Sequence, residues 1–566
     1  MHLLLAFLLA ASFPELQTAY EQAVDKEEWR TVRGVAEEIA KLRDRRALPF
    51  LMKELEFTSD ASHRRALFRA IAFAKFPGAR DFVEGQLTAG DPYLRATALE
   101  AYAKLDAAKA RARATNSLAL DDDVRVRWTA ATVLANDPDP TAFTRLLEGS
   151  SALPSIERAA VLRLVKKMKP DRVATARGLL GAADPEHRLM AVLAFASNGD
   201  AIFGPDFARV KKDKDARIVL AAAVGTARLD GKSSASKMAA LLKRAKSSND
   251  RWELYDMISL AGLRDKGLAQ ALAKEARSGK KPLRPKAAET LGYAGGGYAV
   301  KDLTTILKAE KPWQLPIGAA RGLAATRHPS AVPVLIDALE KRLGGRLGFE
   351  LSAALKSLTG QPFGRNAKVW RKWWSERGTG FQIPEQVRPL WAEETDATDN
   401  YSFYGIQLVS RSAVFVCDVS GSMQGKRIET LRRELRAAVK RFPSKGRFNV
   451  ILFSEKVQPW SKKLVEASPK KKEKLLEFID GVEAAGATNI WDALALALKD
   501  KDVDTVVLLS DGAPTAGKIR STAEIAVEFS KQNRERMVLL HVVSIDRASP
   551  NLRAMARLTG GSYVER

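Results

Sequence analysis

Val414-Phe415-Val416-Cys417-Asp418-Val419-Ser420-Gly421-Ser422-Met423 is the stretch whose reading decides the fold of this chain. An apolar run ends in an aspartate and then turns through two hydroxyls. Apolar runs this short, bounded by a turn and followed by a helical pattern, read as buried parallel strands. The polar cluster therefore falls at the carboxyl end of a strand, where open α/β sheets place their ligand sites. Asp-x-Ser-x-Ser offers hard oxygen and neither nitrogen nor sulfur, which suits Mg²⁺, Mn²⁺ or Ca²⁺ rather than zinc or copper.

Two further stretches supply what such a site needs. Gly486-Ala487-Thr488-Asn489 precedes the helical run Ile490–Leu498, so Thr488 is expected on a loop at a helix start. Thr505–Leu509 reads as another buried strand and ends in Ser510-Asp511-Gly512, which puts Asp511 on the same sheet edge as Asp418. A plainer reading makes one serine an N-cap and has the aspartates accept backbone amides. Three pieces in this order and context favour the cation.

The constellation resembles the metal-ion-dependent adhesion site of von Willebrand factor A domains. The resemblance implies that Asp418, Ser420, Ser422, Thr488 and Asp511 hold a divalent ion, directly or through water. It also implies one coordination position left for a carboxylate from a protein partner. Two carboxylates roughly neutralise the ion, while hydroxyls leave it electrophilic toward an acidic group.

The rest of that region alternates regularly. Strands are expected at Ala413–Asp418, Arg447–Phe453, Thr505–Leu509, Met537–Val543 and Ser562–Val564, with Val457–Trp460 as an antiparallel edge. Helices are expected at Arg427–Phe442, Pro469–Ile479, Ile490–Leu498, Ser521–Gln532 and Asn551–Leu558. That alternation implies a doubly wound, mostly parallel α/β sheet over residues 401–566. Phe403–Ser410 leads into it and is read as an edge strand. Family members usually close with one more helix, and none is read after Ser562–Val564. One sheet face is therefore expected to need cover from the linker, the helical region or another subunit, and switching through that helix is not expected.

Upstream, residues 24–377 read as helical, rich in alanine and leucine with arginines on the polar stripe. Arg64, Arg95, Arg127, Arg158, Arg188 and Arg217 recur at steps of 29 to 32 residues. Around them Asp91-Pro92, Asp123 and Asp184-Pro185 mark helix starts, aspartate at the N-cap and proline at the first helical position. The texture resembles HEAT-type repeats and implies an α-solenoid. The register loosens after Ser233, where two or three divergent units are expected up to Leu358. The arginine column reads as a structural ladder with neighbouring aspartates. Trp370, Trp373 and Trp374 fall on one helical face and are expected to cap the array. Residues 378–400, with Pro384, Pro389 and the acidic cluster Glu393, Glu394, Asp396 and Asp399, read as a linker.

The first nineteen residues carry an apolar run, Leu3–Ala11, too short to span a membrane, followed by small residues. It reads as a signal peptide with its cleavage region, implying export to the periplasm, cell envelope or exterior; cytoplasmic residence is the alternative. The lone Cys417 excludes an internal disulfide framework, and five scattered histidines offer no zinc spacing. A formal net charge of +25 points to acidic partners, although no nucleic-acid motif accompanies it. No nucleophile, acid–base pair or phosphate loop is legible, so no catalysis is expected. The sequence thus reads as a divalent-cation-dependent interaction, adhesion or scaffold protein. A second partner is expected on the concave face of the solenoid. The alternatives are a chelatase-like subunit docking onto an ATPase and nucleic-acid binding by the basic helices.

Overall fold

The computed structural model describes residues 12–566 apart from 27, 43, 59–60, 75–77, 166–167, 231–233, 263, 310–311, 385–400 and 547. The apolar run Leu3–Ala11 and the acidic linker cluster lie outside the described residues. The chain divides into two compact units, one ending at Ser150 and the other running from Ser151 to Arg566.

The first unit is helical throughout. Its first described helix, Phe13–Asp25, is held at its start by the Ser12 amide donating to Glu15 at 2.6 Å. Phe13, Leu16, Tyr20 and Ala23 recur at helical spacing, and they bury against Val32, Ile39, Leu51 and Leu67. Residues 13–19, counted above with the exported leader, are thus the first turns of a packed helix.

The repeat signals do structural work of two kinds. Asp91, Asp123, Asp184 and Asp215 cap their helices through the amides of Tyr93, Arg125, Glu186 and Arg217. The arginines just inside those helices reach back to the turn: Arg95 donates to the carbonyls of Ala89 and Gly90, and Arg188 to those of Ala182 and Ala183. Each also pairs with an aspartate further along, Arg95 with Asp121 at 2.9 Å and Arg188 with Asp213 at 2.9 Å. The first rung differs from the expected register. Arg64 is exposed, and its neighbour Arg65 makes the pair, with Asp91 at 2.7 Å. Two adjacent arginines lie about 100° apart on a helix, and only one faces the turn.

In the second unit the helices continue as pairs up to Gly345–Thr359. Between Ser233 and Leu358 three complete pairs follow Ser234–Arg244, starting at Ser248, Arg284 and Gln314. Helices Arg284–Gly295 and Gln314–Thr326 approach closely, and a Cβ at Gly292 would stand 1.9 Å from the Gly322 carbonyl oxygen. The closing helix, Ala367–Arg377, buries Trp370 completely and ties its Nε1 to the Gly364 carbonyl at 2.9 Å. Phe363 and Trp373 pack edge-on against that ring.

The C-terminal region is a doubly wound α/β domain. Strands β3 (Ser412–Asp418), β4 (Arg447–Phe453), β5 (Val457–Pro459), β6 (Val465–Glu466), β7 (Thr505–Ser510), β8 (Leu539–Ser544) and β9 (Tyr563–Glu565) form one sheet. Its order is β5-β4-β3-β7-β8-β9, with β6 beside β4; the β5 and β6 pairings with β4 are antiparallel and the rest parallel. Helices Ile490–Lys499, Thr522–Asn533 and Pro550–Thr559 cover one face.

The other face departs from expectation. Helices Lys426–Arg441 and Pro469–Asp480 cover part of it. The remainder lies under a separate hairpin, β1 (Tyr401–Phe403) and β2 (Ile406–Leu408), rather than beside an edge strand. Tyr404 and Gly405, both at positive φ, make the two-residue turn. Tyr401, Phe403, Ile406 and Leu408 then fill the space over Phe415, Phe442 and Phe448. The face expected to need outside cover is covered by these eight residues.

The opposite edge of the sheet, where the strands begin, rests on the late helices of the same unit. Trp313 Nε1 donates to the Lys501 carbonyl at 3.1 Å, and Gln314 Nε2 to that of Arg536 at 3.2 Å. The carboxyl ends of the strands point away from that contact.

Candidate metal centre

Parallel pairing sets the site. Cys417 of β3 stands opposite Leu509 of β7, so Asp418 and Asp511 emerge on neighbouring loops at one sheet edge. Both are buried, as are Ser420 and Thr488, while Ser422 is exposed.

Four of the five expected residues join in one hydrogen-bonded run. Asp418 Oδ1 accepts the Ser420 amide at 2.9 Å, which shapes the turn after β3. Ser420 Oγ lies 3.1 Å from Ser422 Oγ, and Ser422 Oγ donates to Asp511 Oδ1 at 2.8 Å. Thr488 makes no hydrogen bond to these four. Its loop is fixed beside them by backbone bonds, the Gly421 amide to the Gly486 carbonyl and the Ala485 amide to that of Val419, both 2.9 Å. Thr488 itself is clamped through its amide to Thr515 Oγ1 at 2.9 Å and through its carbonyl to the amides of Thr515 and Ala516. None of those bonds uses its hydroxyl.

Two participants were not assigned in advance. Ser510 Oγ donates to Asp418 Oδ2 at 2.6 Å, occupying the carboxylate oxygen that Ser420 leaves. Arg427 donates through Nη1 to Asp511 Oδ2 at 3.0 Å and to the Ser422 carbonyl at 2.7 Å, while its Nη2 meets Asp546 at 2.6 Å. Ser510 sits in the motif next to Asp511, so its position was a signal. Arg427 is one of many basic residues in its helix, and nothing in the sequence separates it from the others.

Burial pushes the Asp418 carboxyl up, Asp511's charge adds to that, and the bonds from Ser420 and Ser510 only partly oppose it. Burial likewise pushes up the Cys417 thiol, which leaves it inert. No group of three His, Cys, Asp or Glu side chains converges among the described residues, so the donor set is mainly hydroxyl oxygen. That set fits a hard cation. Adjacent ligands of octahedral Mg²⁺, at 2.0–2.1 Å from the ion, lie about 2.9 Å apart. The Ser420–Ser422 and Ser422–Asp511 oxygen separations, 3.1 and 2.8 Å, bracket that spacing.

Residues 412–564 match the family described as von Willebrand factor type A domain, and residues 316–341 match the PBS lyase HEAT-like repeat. The chain therefore carries a von Willebrand factor A domain preceded by HEAT-like helices. Among similar proteins, the mouse inter alpha-trypsin inhibitor, heavy chain 4 is 32% identical over 142 residues, 23% of this chain and 15% of that protein. The human inter-alpha-trypsin inhibitor heavy chain H4 is 34% identical over 126 residues, 20% of this chain and 14% of that one. The chain thus spans about one seventh of the length of these relatives. A solved von Willebrand factor type A protein from Catenulispora acidiphila matches at 18% identity and a TM-score of 0.25, covering 28% of this chain and 40% of that one.

Proposed function

We propose that the C-terminal domain binds a divalent cation through Asp418, Ser420, Ser422, Thr488 and Asp511 and presents it to an acidic group of a protein partner. A bound ion would supply an electrophilic position for that group. The chain is then an interaction, adhesion or scaffold protein rather than an enzyme, working outside the cytoplasm. The observation that carries this reading is the run of oxygens from Asp418 through Ser420 and Ser422 to Asp511 at the carboxyl ends of β3 and β7. Among the described residues no helix is long and apolar enough to cross a membrane. The late helices, which hold the opposite edge of the sheet, leave this end to a partner and offer a second surface of their own.

The test is titration of the full chain with Mg²⁺ and Mn²⁺, beside Asp418→Ala. Saturable binding that Asp418→Ala abolishes, with the helical signal unchanged, supports the site. Equal binding by both proteins removes it. A pull-down from cell envelopes with Mg²⁺, eluted by EDTA, then tests the partner: proteins released from wild type and absent with Asp418→Ala confirm a metal-bridged contact.

A further inference from the structure

Among the helices of the second unit three arginines come together, and among the described residues no carboxylate is paired with any of them. Arg163 closes helix Ser155–Leu164, Arg264 follows helix Ser248–Ala261, and Arg327 follows helix Gln314–Thr326. Arg264 Nη2 reaches the Thr326 carbonyl at 3.4 Å, which sets it beside Arg327. The Arg163 guanidinium lies over the Tyr293 ring at 5.4 Å, and its buried Nε has no hydrogen-bond partner among the described residues. Three residues beyond Tyr293, Gly296 turns at a φ of 51°, and a Cβ there would stand 3.5 Å from Arg264 Nη1. That spacing sets the end of the Tyr293 helix against the Arg264 guanidinium.

Part of this charge has a structural use. Arg264 donates to the Thr326 carbonyl and Arg327 to that of Ser357, near helix carboxyl ends where cations are favourable, and Arg327 Nη2 donates further to the Pro384 carbonyl. That use does not reach Arg163, and among the described residues it engages only Nη2 of the exposed Arg264. Nor does it neutralise the group. Burial, followed by the charges of Arg163 and Arg264, lowers the Arg327 pKa to about 10, and among the described residues no carboxylate acts against them. Other arginines of the repeats pair with aspartate or glutamate, as Arg188 with Asp213 and Arg321 with Glu350, while Arg228 donates to the carbonyls of Ala196 and Ala261. Three like charges drawn together, with planar donors of Arg163 and Arg264 still unused, are arranged for bonds to an anion.

We propose that Arg163, Arg264 and Arg327 form a binding site for a doubly charged oxyanion of the phosphate or sulfate class, with the Tyr293 ring as its floor. The site is separate from the metal centre and serves as a second ligand-binding point on the helical region.

The test is isothermal titration of the full chain at constant ionic strength, with EDTA present so that no divalent ion contributes. The probes are inorganic phosphate, sulfate and phenyl phosphate, with sodium chloride as control. Saturable binding by wild type is expected, at least tenfold weaker in Arg163→Gln and in Arg264→Gln. Equal affinity for free and esterified phosphate marks a free anion as the ligand, and tighter phenyl phosphate marks an ester. Arg163→Gln is expected to unfold at the wild-type temperature without phosphate, because Arg163 supports no packing bond through its Nε; if it is less stable, Arg264→Gln decides. Absence of heat with all three anions, or affinities unchanged in both variants, overturns the site.

Discussion

Aspartates at loop ends serve opposite purposes in the two halves of this molecule. In the helical repeats several are given a cation: Asp91 takes Arg65, Asp121 takes Arg95 and Asp213 takes Arg188, all within 3.0 Å. The Arg188 hydrogen bonds hold the Asp213 carboxyl below its ordinary range. At the sheet edge Asp418 is given only an amide and a hydroxyl, and burial drives its carboxyl upward. One arrangement spends the charge inside the fold; the other keeps it available. Pairing and burial together, rather than residue type, separate a structural aspartate from one set for a ligand.

The sharpest way to break this contrast is to remove a carboxylate that pairing has made structural. Glu350 is buried between Arg321, at 2.7 Å, and Arg346, at 2.6 Å, and its single charge is shared between them. Glu350→Ala strands two buried guanidiniums, and losses of roughly 3–5 kcal/mol are typical of breaking one buried pair. Urea unfolding of the helical signal should show a loss in that range. A loss below about 1 kcal/mol would mean that solvent reaches the arginines and that pairing is not what holds them.

Acid tests the same contrast through titration. His541, buried on β8, accepts the Ser562 amide at Nδ1, and burial together with Arg346 lowers its pKa to about 4. A neutral histidine in the fold with an ordinary value when unfolded contributes stability that is present above about pH 6.5 and is lost as pH falls toward 4, roughly 3 kcal/mol in all. The Glu350 carboxyl is lowered to about 2, chiefly because the opposing arginine charges overcome burial. Its contribution is present above about 4.5 and is lost only as pH falls through 2. Thermal unfolding should therefore decline in two steps on acidification, and His541→Gln should erase the upper one. If the variant keeps that step, the group responsible lies elsewhere.

Legibility followed the range of the interactions. The strands and the candidate ligands were readable because an apolar run and the polar residues that end it are contiguous, as in Val414–Ser422 and Thr505–Asp511. The N-caps were readable for the same reason: Asp91-Pro92 is a local signal. The hairpin Tyr401–Leu408 was not placed, since three-residue strands carry no mark of which sheet they join or which face they cover. Arg65 was taken for its neighbour because composition cannot give helix phase to within one residue. Arg163, Arg264 and Arg327 are scattered over the chain, and only stacking of the helices brings them together.

A milder substitution sharpens the account of the ladder. Asp121 pairs with Arg95 while both remain partly open to solvent, and Arg95 also donates to two carbonyls of its own turn. Asp121→Asn keeps an acceptor for the Asp123 amide and removes only the charge. A loss of about 1 kcal/mol or less is expected in thermal unfolding of the first unit. A loss matching that of Glu350→Ala would make the exposed rungs as important as the buried network.

The smallest effect concerns the residue that blurs the contrast at the metal centre itself. Arg427 gives Asp511 a cation after all, at 3.0 Å, yet its side chain is 40% exposed and it also serves Asp546. A guanidinium so placed repels an incoming divalent ion and competes for one carboxylate oxygen, with solvent and salt weakening both effects. Arg427→Gln should therefore tighten Mg²⁺ by about threefold, the scale of one exposed ion pair, with the gain shrinking as sodium chloride is raised. Loss of Mg²⁺ binding in the variant would reverse the interpretation. Arg427 would then be the group that orients Ser422 and Asp511 through its bonds to both, and Asp511 would belong with the paired carboxylates of the repeats rather than with Asp418.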